Sequence, residues 1–89
     1  MPDRIKQDIS IGPNLQRLRK AAGLTQEMAA AKLQVMGLSV SREMLAQMEQ
    51  GRYSVRVSIL LAMKQIYHAA SFDQFFKGLS LPNEQETDR

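Results

Sequence analysis

Two short helical patterns, joined by a tight polar turn and bracketed by capping residues, occupy Leu24 to Gly51 and constrain the fold more than any other part of the chain. The first opens at Leu24-Thr25-Gln26-Glu27, with Thr25 as the expected N-cap, and runs through Met28, Ala29, Ala30 and Leu33 to Gly37, a natural residue to follow a helix end. Its small face lets a neighbour pack closely. The second opens at Ser41, whose hydroxyl suits a first-turn amide, while Val40 and Leu45 stand at the two positions of a hydrophobic staple. Gly51 ends it.

Projection of the second helix at about 100° per residue puts Leu45 and Met48 on one face, with Glu49 about 40° from Leu45. Glu43, Ala46, Gln47 and Gln50 cluster opposite, and Arg42 and Met44 flank that outward row. This is the layout of a helix-turn-helix, the unit that places one helix in the DNA major groove. Arg42, Glu43, Met44 and Gln47 are then the residues able to reach base edges. An arginine can bridge guanine O6 and N7, and a glutamine can do the same on adenine. The plain alternative for Arg42 and Gln47 is a solvated helix face. Glu43 either accepts from cytosine N4 or favours the helix N-terminus and repels phosphate. Met44 either touches a thymine methyl or packs against Met48.

Around this unit the apolar spacings of three and four recur and strict alternation does not persist, so an all-α fold is predicted, with five helices. Ser10 is the expected cap of a first helix carrying Ile11, Leu15, Leu18 and Ala22 on one stripe, with Pro13 tolerated in the first turn and Gly23 as the stop. Arg19 lies about 40° from Leu15 on that helix, whereas Arg17 and Lys20 point away from the stripe. After the linker Arg52-Tyr53-Ser54-Val55, a fourth helix carries Ile59, Leu60, Met63, Ile66 and Tyr67 on its apolar side, with Leu61 opposite. Ser71-Phe72-Asp73-Gln74 matches a capping box, which predicts a short fifth helix ending near Gly78. The expected organisation is a flexible arm over residues 1–8, one domain over 9–78, and a polar, fraying tail over 79–89.

Composition narrows the partners. At 89 residues the domain is short of ample core burial, so economical packing or a second subunit is needed. With no cysteine and a single histidine, His68, neither a thiolate metal site nor a multi-histidine centre is available, and His68 reads as a helix-end residue. No Gly-rich phosphate loop or nucleophile-base pair is present, so an enzyme is not expected, nor is any cofactor. No apolar run approaches the roughly 18 residues of a membrane span, and the start lacks the apolar core of a secretion signal, which leads to the expectation of a soluble, cytoplasmic protein. Residues 1–77 hold 11 Lys and Arg against 6 Asp and Glu, so the folded part is more basic than the net +3 of the chain. That mildly favours a polyanionic partner.

Taken together, Leu15-Gln16-Arg17-Leu18-Arg19-Lys20, Gly23-Leu24-Thr25-Gln26-Glu27, Ala30, Leu33, Val40-Ser41-Arg42, Leu45 and Met48-Glu49-Gln50-Gly51 resemble the lambda-repressor-like, or Xre, family of bacterial and phage transcriptional regulators. The resemblance covers roughly Ile9 to Lys77. It implies that Gln26 braces a phosphate or a base, that Arg42, Glu43, Met44 and Gln47 fall on the recognition positions, and that Arg19 and Glu49 form a buried ion pair tying the first helix to the recognition helix. Three features depart from the family pattern. The segment Gln34 to Val40 is longer than the commonest turn, Ala29 replaces a more usual leucine, and Glu43 and Met44 replace small polar residues.

The expected partner is double-stranded DNA, bound by a homodimer on a near-palindromic site so that a promoter is repressed. Thr25, Arg17, Lys20, Arg52 and Tyr53 are candidates for backbone phosphate, the last four being otherwise ordinary surface residues. Leu61, Phe72, Phe75, Phe76, Leu79 and Leu81 are candidates for a self-complementary patch, with the aromatics alternatively belonging to the core. A different class of function, a protein-interaction module such as an antitoxin covering a toxin, would use DNA binding for autoregulation and the tail after Leu79 for its partner.

Overall fold

Each helix of the computed structural model stops at a residue in the left-handed region, and these stops set the layout. The structure describes residues 4, 5 and 9–81, and within them four α-helices form: α1 (Gly12–Ala21), α2 (Gln26–Val35), α3 (Arg42–Glu49) and α4 (Val57–Ile66). Gly23, Gly37 and Gly51 close the first three with φ between 76° and 87°. At the end of α2 the Gly37 amide donates to the Gln34 carbonyl at 2.9 Å and the Leu38 amide to Leu33 at 3.0 Å, the paired bonds of a Schellman motif. The same pair closes α4, where the Lys64 and Gln65 carbonyls accept from Ala69 and His68, but there His68 takes the left-handed position with φ 57°.

Helix starts follow the sequence in two cases and depart from it in a third. Thr25 and Ser41 accept from the amides of Met28 and Met44, each at 3.1 Å. The Ser10 hydroxyl does accept from a first-turn amide, that of Gly12 at 3.0 Å, yet the capping position of α1 is Ile11, which has no side-chain cap. Ile11 is worth more as an apolar plug, and it is buried.

The core is built by all four helices: Leu15 from α1, Leu33 from α2, Leu45 and Met48 from α3, and Ile59 and Met63 from α4 are fully buried, with Val40, Val55 and Phe75 between them. The stripes of three-and-four spacing therefore face where they should. α1 crosses the end of α3 so closely that a Cβ at Gly12 would collide with the Glu49 carbonyl and come within 2.9 Å of that of Met48. Ala29 and Ala30 let α2 approach as near as the small-residue face requires.

Two expectations are corrected. The fifth helix is not an α-helix but a five-residue 3-10 helix, Phe72–Phe76, and Ser71 makes no capping bond with its side chain. The segment is pinned from outside: the Asn14 amide donates to the carbonyls of Phe75 and Lys77, both at 2.9 Å, and short connectors held this way favour the tighter turn. Helices are also not the only regular elements, because β1 (Arg4–Ile5) pairs antiparallel with β2 (Val55–Arg56). Two residues per strand are too few to show a period of two in sequence. Arg4 and Ile5 belong to the segment expected as an arm, of which the rest lies outside the described residues, as do residues 82–89 of the expected tail. Among the described residues no helix is long and apolar enough to cross a membrane.

Candidate nucleic-acid interface

α3 is held by its apolar side and shows its polar side. Leu45, Met48 and Glu49 are buried, whereas Arg42, Glu43 and Gln47 are exposed. Gln34 stiffens the long turn before it by donating its side-chain amide to the Val40 carbonyl at 2.8 Å, and Val40 is itself buried. Met44 is half-buried and packs against the core.

Beneath this surface lies a buried ion pair. Arg19 Nε donates to Glu49 Oε2 at 2.6 Å and its Nη2 to Oε1 at 3.1 Å, while Nη1 reaches the Leu24 carbonyl at 2.7 Å. The two side chains retain only 7% and 3% of their exposure. Desolvating two charges costs several kcal/mol each before pairing, so the two-point contact fixes orientation more than it adds net stability. The hydrogen bond that Arg19 donates to Glu49 holds the Arg19 pKa above its usual value, against the opposing effect of burial.

Gln26, at the start of α2, extends the pair outward. Its Nε2 donates to Glu49 Oε1 at 3.0 Å and its Oε1 accepts from Arg42 Nη1 at 3.3 Å. Arg42 also stands 3.9 Å from Glu43, with both side chains mostly exposed. An open groove runs along this edge, lined by Lys20, Thr25, Gln26, Glu27 and Arg42 among others. Besides Arg19, which is paired with Glu49, it gathers the exposed cations Lys20 and Arg42 and the carboxylate of Glu27 beside a helix N-terminus, where backbone amides and the helix dipole favour an anionic oxygen. The chemistry on offer is phosphate binding at the groove and base-edge hydrogen bonding from α3.

Other expected contacts are placed elsewhere. Arg17 is exposed but leans away from the groove, donating to the Gln74 carbonyl at 3.0 Å and to Asn14 Oδ1 at 3.3 Å. Arg52 is exposed just past α3, and its amide completes the helix stop at the Gln47 carbonyl. Tyr53 is half-buried against the core and does not join the groove. Of the expected surface patch, Leu61, Phe72, Phe76, Leu79 and Leu81 are exposed. Phe75 is fully buried and leaves that patch, and its backbone carbonyl is held by Asn14 of α1.

Sequence reasoning missed three contributors. Asn14 lies on the α1 stripe three residues after Ile11 and four before Leu18, and a polar residue in that register was the available signal. Gly12 was unremarkable until α3 was seen to touch it. Tyr67 was expected in the apolar stripe and is there, but its hydroxyl is buried with no hydrogen-bond partner among the described residues. Burial above all, and then the negative charge of Glu49, push that phenol well above its ordinary pKa, with Arg19 acting the other way. Among the described residues no three His, Cys, Asp or Glu side chains gather in a way that could hold a metal ion.

Compared with known proteins, the chain matches a family described as a helix-turn-helix domain over residues 10–73. No curated protein and no solved structure matches it.

Proposed function

The chain belongs to the helix-turn-helix domain family, of the lambda-repressor-like type, and from that premise we propose that it is a sequence-specific DNA-binding repressor that acts as a homodimer. The observation that carries the reading is the presentation of α3. Its outward face offers Arg42 and Gln47 to solvent on a helix whose opposite side is locked by Leu45, Met48 and the Arg19–Glu49 pair. Arg42 and Gln47 read base edges, Glu43 reads or repels beside them, and Lys20 with the α2 N-terminus sets the register on phosphate. Exposed Leu61, Phe72, Phe76, Leu79 and Leu81 supply the apolar surface for the second copy, which would set two recognition helices about 34 Å apart on a near-palindromic site.

The test is selection from random double-stranded DNA at fixed salt, followed by a stoichiometry measurement on the winning site. A two-fold-symmetric consensus bound by two chains is expected. Weak binding that follows salt alone would reduce the reading to polyanion affinity. Selection of a consensus only in complex with a different protein would favour the interaction-module reading, with DNA binding as its autoregulation.

A further inference from the structure

A small cavity lies on the inner side of α3, between that helix, the turn that precedes it, β2 and α4. Its volume is about 120 Å³, and fully buried Met48 of α3 and Ile59 of α4 line it together with half-buried Met44. Its polar lining comes from residues nearer solvent, exposed Ser39 and Arg56 and half-buried Tyr53. We propose that this cavity is a binding site for a small monocarboxylate with a short, branched apolar body, and that its occupancy steadies α3.

The lining selects this chemistry. Among the described residues around the cavity Arg56 carries the only formal charge, and it is positive. A guanidinium has five N–H donors, so bonds made elsewhere leave others for a ligand, and the hydroxyls of Tyr53 and Ser39 add a donor each. A fork of donors around one positive charge suits a carboxylate and disfavours a cation. An inorganic anion gains nothing from Met44, Met48 and Ile59, whereas a carboxylate with an apolar body meets both parts of the lining at once. A dry cavity of about 150 Å³ holds a benzene molecule, so the space here suits a slightly smaller body, such as an isopropyl group with its carboxylate at the rim.

The position of the cavity gives its occupancy a consequence. Met44 and Met48 stand one turn apart on α3, and the turn before α3 contributes Ser39, so a ligand touching all three braces the helix and its lead-in against β2 and α4. Empty, the cavity leaves two flexible thioether side chains without contacts on one side. A ligand that binds this seating of α3 favours it over any other by its difference in affinity. On the DNA-reading function proposed above, such a ligand acts as a co-effector that raises affinity for the selected site.

The free protein is titrated with sodium isobutyrate, with isobutyramide and with inorganic phosphate at constant ionic strength, and followed by methyl and amide NMR. Isobutyrate is expected to shift the Met44 and Met48 methyls and the Ser39 and Arg56 amides, with binding about tenfold tighter than that of either comparator. Amide exchange from Leu45 to Met48 should slow about tenfold when isobutyrate stands at ten times its Kd. Arg56→Met, at an exposed position, should keep its Tm and lose about tenfold in isobutyrate affinity. Isobutyramide binding as well as isobutyrate would remove the charge from recognition and overturn the proposal. Equal shifts with phosphate, or shifts spread over the surface lysines and arginines, would reduce the effect to ion adhesion and overturn it too. So would unchanged exchange in α3 with the cavity filled. The comparison of the three compounds uses wild type alone and stands even if Arg56→Met melts early. No DNA is present in these measurements, so their failure removes the site and leaves the DNA-reading function to its own selection experiment.

Discussion

The guanidinium of Arg19 meets the carboxylate of Glu49 at two points, 2.6 and 3.1 Å, between the first helix and the end of the recognition helix. Glu49 is met twice by α1, its carboxylate by Arg19 and its backbone carbonyl by Gly12. Backbone contact and charge contact thus fix the same crossing. Few rearrangements of α3 satisfy both.

Removing one partner should be far worse than removing both. Arg19→Met leaves the Glu49 carboxylate buried without its cation and is expected to cost about 3 to 5 kcal/mol in urea unfolding. Arg19→Met combined with Glu49→Leu should recover most of that loss. The raised pKa of Arg19 means that its contribution is fully present below the ordinary arginine range and is lost only as pH rises past it, so Arg19 should add no pH dependence near neutrality. A double variant as unstable as the single one would show that the ions contribute net stability here.

Tyr67→Phe should stabilise the protein. The hydroxyl is buried without a partner among the described residues, and an orphaned buried donor costs about 1 to 3 kcal/mol, so its deletion should raise the urea midpoint at neutral pH. The pH profile adds an independent check. The folded pKa of Tyr67 is raised, so the folded state holds the proton more tightly and its stability is complete below the unfolded value near 10.0, then declines as pH rises beyond it. That alkaline decline should be smaller in Tyr67→Phe. Equal midpoints for both proteins at pH 7 and at pH 11 would contradict both arguments.

His68 occupies the only left-handed helix stop among the described residues that is not a glycine, with φ 57°. A side chain there costs about 1 kcal/mol relative to glycine. His68→Gly should therefore raise Tm by roughly 4 to 8 °C, since the residue is exposed and its imidazole makes no core contact that would be lost. A fall in Tm would show that the imidazole makes a contact worth more than the strain.

The parts of this molecule that were legible in its sequence are those encoded within about ten consecutive residues. The apolar stripes of α1 and α4, the caps at Thr25 and Ser41, and the glycine stops all report local backbone geometry, and Arg19 and Glu49 stood at stripe edges where a buried charge is announced by its register. What stayed hidden depends on partners distant in the chain. Asn14 grips carbonyls 61 and 63 residues away, and that grip makes the last element a 3-10 turn where the capping-box pattern of Ser71 to Gln74 predicted an α-helix. The same distance effect split the aromatic group into a buried Phe75 and exposed Phe72 and Phe76. Gln26 was singled out by its position, but its attachment to both Glu49 and Arg42 exists only after three helices have met.

Arg42 and Lys20 both face the groove beside the α2 N-terminus, yet the proposed function gives them different duties, and one experiment separates them. Arg42 begins the recognition helix and is held by Gln26, so Arg42→Ala should cost about 1 to 3 kcal/mol on the selected site and flatten preference at one base pair. Lys20 is exposed on α1, outside the recognition helix, and the proposed function assigns it to the phosphate backbone. Lys20→Ala should weaken all DNA sequences by a similar factor and lower the slope of log affinity against log salt by about one. The slope matters because base hydrogen bonds release no counterions, whereas a phosphate contact does. If Arg42→Ala changed the salt slope and left base preference intact, its guanidinium would be on the backbone, and readout would have to pass to Gln47 and Glu43 further along α3.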